Sequence, residues 1–316
     1  MQSQMSGMTS RTWIMKACMA ACAFATVSPG AASAGRQAEI PLQRLRVELG
    51  GHPFAVWARV PEAPRGAIVL LHGRTWSSRP AFDLQVPGLQ RSVLSSLAAR
   101  GFAAYAMDQR GYGETPRDKT GWITPHRAAA DAAGVLAWVT SRHPGLPKPA
   151  LLGWSLGAAT AHLLAATSPG SLSALILAGY APDPDGATAM MDETGDPPRL
   201  KNDRAAAASD FIAPRVTEPA VVKAFVETAL RTDPIHADWK NEGQFLKDPS
   251  RITIPTLLIF GDLDQNVEPN TLERFFGRLG AAKRKVVSLP GADHCAMLEN
   301  THLAWIAAIV EFLLRK

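Results

Sequence analysis

The chain has 316 residues, 47% of them hydrophobic and 19% charged. That length and balance belong to a globular protein with ample core, and they exclude a wholly disordered, collagen-like or coiled-coil chain. The net charge of +5 does not imply nucleic acid as a partner, because Lys and Arg are scattered rather than gathered on one stripe. The densest run, Lys283-Arg284-Lys285, reads as a solvated helix-to-strand turn.

Residues 1–34 contain no acid, and Arg11 and Lys16 are their only charges. An apolar stretch at 17–27 follows, then Ser28-Pro29-Gly30 and Ala31-Ala32-Ser33-Ala34. A positive start, a short apolar core and an Ala-x-Ala end fit a secretory signal cleaved after Ala34, so a secreted or periplasmic protein is expected. The apolar stretch falls short of the roughly 20 residues a spanning helix needs, so no stable membrane span is expected once the signal is removed. A lipoprotein signal acylated at Cys22 is a second reading, although Met19-Ala20-Ala21 lacks the usual Leu; an uncleaved anchor is a third. Cys18 and Cys22 lie in this segment, which leaves Cys295 alone in the mature chain and rules out an internal disulfide there. Cys295 reads as a small buried hydrophobe.

Beyond the signal, strand and helix patterns alternate. Residues 45–49 and 54–60 alternate in polarity, as an antiparallel hairpin at a sheet edge does. Unbroken apolar runs follow at 67–71, 103–107, 150–152, 175–178 and 256–260, each stopping at Gly or a polar residue, and 286–289 reads as a last strand. Such runs are the mark of strands buried on both faces. Ala128, Ala132, Val135, Leu136 and Val139 recur at helical spacing, as do Leu303, Ile306, Val310, Leu313 and Leu314. The pattern predicts an α/β fold with a mostly parallel, doubly wound sheet. Residues 182–250 break the alternation with many Pro and Asp and no clean strand; they are too many for a plain loop. The expected organisation is therefore a signal at 1–34, a core of 35–181 and 251–316, and an inserted helical cap at 182–250.

Ligands of open parallel sheets bind beyond the carboxyl ends of the strands. Three features land there. Gly153-Trp154-Ser155-Leu156-Gly157 is a G-x-S-x-G between a buried run and a helical pattern, a context that pushes a serine hydroxyl out of a sharp turn. The N–H of Leu156, at the helix start, lies where an oxyanion would form. Asp262 and Asp264 follow the run at 256–260, and either could supply a carboxylate from that strand end. His294 sits in the loop after the last strand. A serine hydroxyl needs an imidazole to take its proton and a carboxylate to set the ring tautomer. Asp293 reads as a solvated loop charge. Trp76, Trp122, Trp154, Tyr180 and Trp239, with Phe82, are candidate walls of an apolar substrate pocket, with simple core packing the competing reading for each.

These residues resemble the α/β-hydrolase fold family, specifically its capped serine hydrolases, from about residue 45 to the end. His72-Gly73 is similar to the family's oxyanion turn, and Asp108-Gln109-Arg110-Gly111-Tyr112-Gly113 to its Asp-x-Arg-Gly-x-Gly segment. The resemblance implies Ser155 as nucleophile, Asp264 rather than Asp262 as acid by the Gly-x-x-Asp spacing, and His294 as base. It implies the N–H groups of Leu156 and Arg74 as oxyanion donors and His72 as a structural turn residue. No cofactor and no metal are implied. Ser155 at the elbow departs from the Asp of epoxide hydrolases and haloalkane dehalogenases, and Arg74-Thr75 departs from His-Gly-Gly turns. The implied function is an exported esterase or lipase-like serine hydrolase acting on a small-molecule ester or lactone. Lactonase, amidase, cofactor-free haloperoxidase and acyltransferase activities remain open on the same residues, as does a ligand-binding protein without turnover.

Overall fold

The computed structural model describes residues 39–186, 195–213, 215–245 and 248–315. The expected signal at 1–34, its cleavage at Ala34 and the alternative at Cys22 lie outside the described residues. Residues 39–316 make one compact unit. Strands β1 (Gln43–Leu49) and β2 (His52–Arg59) form the expected antiparallel hairpin, with Leu49 opposite His52. Then come β3 (Gly66–Leu71), the short helices α1 (Ser78–Phe82) and α2 (Val93–Ala98), and β4 (Phe102–Met107). A two-residue strand β5 (Trp122–Ile123) precedes α3 (Pro125–Arg142), β6 (Ala150–Trp154), α4 (Leu156–Thr167) and β7 (Leu175–Ala178). The insertion after β7 carries α5 (Arg204–Ala208), α6 (Pro219–Thr232) and a second two-residue strand, β8 (Asp238–Trp239). The chain closes with β9 (Thr256–Gly261), α7 (Pro269–Arg278), β10 (Arg284–Leu289) and α8 (His302–Leu314).

Among the described residues, eight strands join in one sheet in the order β1-β2-β4-β3-β6-β7-β9-β10. All neighbours are parallel except β1–β2 and β2–β4. This is the α/β-hydrolase fold. The central strands are apolar throughout because both of their faces are covered: every residue of β4, β6 and β7 is buried. Successive residues of β3 serve opposite layers. Ile68 and Leu70 face the layer of Leu94, Trp305 and Ile309, whereas Val69 and Leu71 face that of Val135 and Leu163. No helix among the described residues is long and apolar enough to cross a membrane.

Two expectations need correction. The stretch 182–250 does contribute a strand: β8 pairs in parallel with β5, Trp122 opposite Asp238 and Ile123 opposite Trp239. Two residues are too few to show any periodicity in sequence. The Lys283-Arg284-Lys285 run is not merely solvated. Arg284 donates to the carbonyls of Phe276 (3.1 Å) and Leu279 (2.7 Å) at the end of α7, and Lys283 to that of Phe312 (3.3 Å) in α8. The run neutralises two helix C-termini.

Buried polar groups fasten the insertion to the sheet. Asp233, which ends α6, is 3% exposed. Its carboxylate accepts from the N–H and Oγ of Ser77 (3.0 and 2.8 Å) and from the N–H of Gly113 (2.8 Å). Arg117 reaches Asp238 at 2.7 Å. Removing the acceptor at 233 strands three donors away from water, so Asp233→Ala should lower the free energy of urea unfolding by about 2–4 kcal/mol. Glu48→Gln, which breaks an ion pair with Arg46 at side chains 51% and 73% exposed, should change it by less than about 1 kcal/mol. Equal effects of the two substitutions would contradict this assignment.

Candidate active site

β6 ends at Trp154 and α4 begins at Leu156, so Ser155 alone makes the turn between them. Its backbone sits at φ 55°, ψ −120°, a conformation that strains any residue with a Cβ by on the order of 1–3 kcal/mol. The surroundings hold it there. The Ser155 N–H donates to the carbonyl of Ala178 (2.9 Å), and its own carbonyl accepts from Ala158 (2.9 Å). A Cβ at Gly157 would lie 2.2 Å from the Leu71 oxygen and 2.4 Å from the His72 oxygen, so only glycine lets α4 begin this close to the end of β3. As the first residue of α4, Leu156 has an N–H without an intrahelical acceptor.

Asp264 and His294 arrive on the turns after β9 and β10. Both are nearly buried, at 5% and 8% exposure. His294 Nδ1 meets Asp264 Oδ2 at 2.9 Å. A carboxylate only accepts, so Nδ1 carries the ring proton and Nε2 is left as the basic nitrogen. The second oxygen of Asp264 accepts from the Asn266 N–H (2.9 Å), and the His294 carbonyl accepts from Trp154 Nε1 (2.9 Å). Gly179 closes the arrangement. It follows β7 at φ +57°, and a Cβ there would lie 3.0 Å from His294 Nδ1 and 3.2 Å from Asp264 Oδ2. Ser155 is bonded to residue 178 and the His–Asp pair packs on residue 179, so β7 brings the three side chains to one strand end. In sequence Gly179 shows only as the stop of an apolar run.

The other acids at these turns do different work. Asp262 is exposed and accepts from the Gly291 N–H (2.8 Å), bracing the loop before His294. Asp293, expected in solvent, is fully buried. Its oxygens accept from the N–H groups of Cys295 (3.0 Å) and Ala213 (2.7 Å), and its own N–H donates to Glu299 (2.8 Å). The loop turns inward because those backbone donors need an acceptor. Burial and the neighbouring Asp293 push Glu299 up to about 9, so it is a neutral acid at pH 7. Burial, with four carboxyl groups around it, pushes the buried Cys295 thiol well up, which removes it as a nucleophile. Asp210 of the insertion was not legible in sequence as a site residue. Burial lifts it to about 6, against the opposing pull of His294 and the Trp76 indole.

The turn after β3 is fixed by side chains. His72 is fully buried, and its Nε2 accepts from the Gln109 N–H (3.0 Å) while Nδ1 donates to the Gly73 carbonyl (2.9 Å). Burial holds its pKa down at about 4, so the ring is neutral, as its two bonds require. Asp108 accepts from Trp57 Nε1, Ser78 N–H and Glu114 N–H at 3.0–3.1 Å, and burial raises it to about 6. The Arg74 guanidinium pairs with Glu242 of the insertion, Nη1 to Oε1 at 2.9 Å.

The aromatic candidates are distributed differently from one another. Trp154 stacks obliquely beside His294, ring centroids 5.3 Å apart. Trp76 is 1% exposed and edges onto Phe225 of α6. Trp122 donates to the Gly195 carbonyl (3.0 Å), Tyr180 meets His162 Nδ1 (3.1 Å), and Trp239 donates to the Tyr112 hydroxyl (2.8 Å). Phe82 is fully buried in the core. Among the described residues, no group of three or more His, Cys, Asp and Glu could hold a metal ion.

Histidine burial gives a pH test. His302, fully buried between Met297 O (2.6 Å) and Ser96 Oγ (2.8 Å), is also held down at about 4. The unfolded chain takes up this proton near the ordinary histidine pKa of about 6.5, but the folded chain waits until about pH 4. The stability is therefore complete above that range and is lost as pH falls through it. The difference in unfolding free energy between the natural chain and His302→Gln should shrink steadily from pH 7 to pH 4. A difference that stays constant across that range would refute the neutral buried ring.

The model of the serine aminopeptidase S33 family matches residues 62–301. A monoacylglycerol lipase of Mycolicibacterium smegmatis is 28% identical over 128 residues, which is 40% of this chain; the match spans 42% of that enzyme's length. Among solved structures, a monoacylglycerol lipase of Paleococcus ferrophilus superposes with a TM-score of 0.56 at 22% identity, covering 86% of this chain and 98% of its own. A serine hydrolase involved in carbazole degradation superposes at 0.62 and 19% identity, covering 87% and 100%. At such identities the superpositions speak for the fold alone. The family match covers the elbow, the turn after β3 and both partners of the His294–Asp264 bond, and the chain belongs to the serine aminopeptidase S33 family of α/β-hydrolases.

Proposed function

We propose that the chain is an exported serine hydrolase that cleaves a carboxylic ester with a bulky or apolar substituent. The observations that carry this reading are the 2.9 Å bond from His294 Nδ1 to Asp264, which leaves Nε2 basic, and the strained elbow that holds Ser155 at the end of β6. Ser155 Oγ attacks the ester carbonyl while His294 Nε2 takes its proton. The N–H groups of Leu156 and Arg74 receive the oxyanion, each worth about 3 kcal/mol in the transition state. His294 then gives the proton to the leaving alcohol, activates a water molecule, and Ser155 is released from the acyl-enzyme. The imidazolium formed on the way is stabilised by Asp264.

Residues 182–250 serve in this reading as a cap over the strand ends, and residues 1–34 as the export signal. In this reading Trp76, Trp122, Trp154 and Tyr180 line an apolar pocket, which favours an apolar ester over a small charged one. The relative that acts on monoacylglycerol supports an ester rather than an amide.

The test uses the protein beginning at Gly35 and chromogenic esters of rising acyl length, with a lactone and an anilide beside them. Ser155→Ala should lower kcat/KM for the best ester by roughly 10⁴-fold or more and abolish labelling by a fluorophosphonate. Unchanged hydrolysis in Ser155→Ala, or labelling with no turnover of any of the three substrate classes, would sink the enzymatic reading.

A further inference from the structure

Two hydrogen-bond chains converge on the backbone at Arg74. In one, the Gln109 N–H donates to His72 Nε2 (3.0 Å) and His72 Nδ1 donates to the Gly73 carbonyl (2.9 Å). In the other, Trp239 Nε1 donates to the Tyr112 hydroxyl (2.8 Å), and that hydroxyl donates to the Arg74 carbonyl. The two rings in the middle, His72 and Tyr112, pack edge to face with centroids 4.5 Å apart.

The peptide planes explain why both chains matter. The Gly73 carbonyl and the Arg74 N–H belong to one rigid plane, so the bond from His72 aims that N–H. The Arg74 carbonyl belongs to the next plane. With only the first plane held, the turn can still rotate about the two free dihedrals of residue 74. With both held, it cannot. Tyr112 is 1% exposed, and burial raises its pKa, so it remains an O–H donor at neutral and alkaline pH. Its oxygen already accepts from Trp239, which leaves the proton to point at the Arg74 carbonyl.

We infer that Tyr112 and Trp239 are positioning residues for the oxyanion turn, and that the insertion completes the catalytic apparatus from behind through Trp239. Trp239 is suited to this. It is 4% exposed, sits in β8 where Ile123 of β5 pairs with it, and leans on Phe245 at 5.4 Å between centroids. The Arg74–Glu242 ion pair links the same two elements, but its side chains are 44% and 36% exposed and it contributes less. The inference rests on the proposed role of the Arg74 N–H in ester hydrolysis. It moves Trp239 from the substrate wall to the support of the turn.

The experiment compares Tyr112→Phe, Trp239→Phe and Ser155→Ala on p-nitrophenyl butyrate, with the active sites of the natural chain, Tyr112→Phe and Trp239→Phe titrated so that only folded enzyme is counted, and Ser155→Ala taken at equal folded protein by circular dichroism. Tyr112→Phe keeps the ring against His72 and deletes the hydroxyl. It should lower kcat by about tenfold or more with KM within about twofold, since a misaimed donor forfeits part of the 10²–10³ that one oxyanion donor supplies. Binding of a trifluoromethyl ketone, which forms a tetrahedral oxyanion on serine, should weaken by the same factor as kcat. Trp239→Phe should shift both quantities in the same direction and by less. A purely structural role would lower the unfolding midpoint while leaving the kcat and the ketone affinity of titrated enzyme intact, and that result overturns the inference. Should Tyr112→Phe fail to fold, Trp239→Phe decides alone: kcat and ketone affinity both unchanged would overturn the inference. If Ser155→Ala retains full hydrolysis, the ester-hydrolase reading falls and takes this one with it; if Ser155→Ala is inactive and Tyr112→Phe is not impaired, only this one falls.

Discussion

The architecture depends on one crowded backbone crossing, where α4 starts against the end of β3. The carbonyls of Leu71 and His72 lie so close to residue 157 that no side chain fits. That crossing forces Ser155 into its strained conformation and carries the N–H of Leu156 to the rim of the sheet. It also sets the distance from the elbow to the turn at 72–74, which starts at those same carbonyls. A local strain of a few kcal/mol is sustained because the parallel strands on either side are buried on both faces and cannot relax.

Polar chemistry on this scaffold is held by neutral or fully bonded groups rather than by exposed charge. His72 and His302 stay neutral because burial penalises the charged ring more than their carbonyl partners favour it. Glu299 stays protonated beside Asp293, and Asp293 in turn accepts from the insertion at Ala213. Asp233, Asp238 and Trp239 fasten the insertion elsewhere. The insertion is therefore joined to three functional turns: those after β3 and β4 and the one that bears His294.

The elbow, the two partners of the His294–Asp264 bond and the mostly parallel sheet with its antiparallel edge hairpin are all legible in the sequence. Long apolar runs ending at Gly are strong local signals, and the G-x-S-x-G between such a run and a helical pattern is stronger still. The choice between Asp262 and Asp264 was open on residue type alone, since both follow the same strand; the structure pairs Asp264 with His294 and turns Asp262 toward Gly291. Asp293 was misread because a charged residue in a loop is usually solvated, and only the backbone donors of Cys295 and Ala213 make burial favourable there.

The amino-acid order by itself determined the alternation of strands and helices, and with it a parallel sheet whose carboxyl ends bear Ser155, Asp264 and His294. These follow from periodicity and turn chemistry, which act over a few residues. Only the tertiary structure decided that Gly179 must be bare beside the His–Asp pair, that Asp210 and Asp293 come to the same loop, and that Trp239 backs Tyr112. Those contacts join residues far apart in the chain, between elements as short as two residues. Their energies come from burial and hydrogen-bond geometry, which no local pattern encodes.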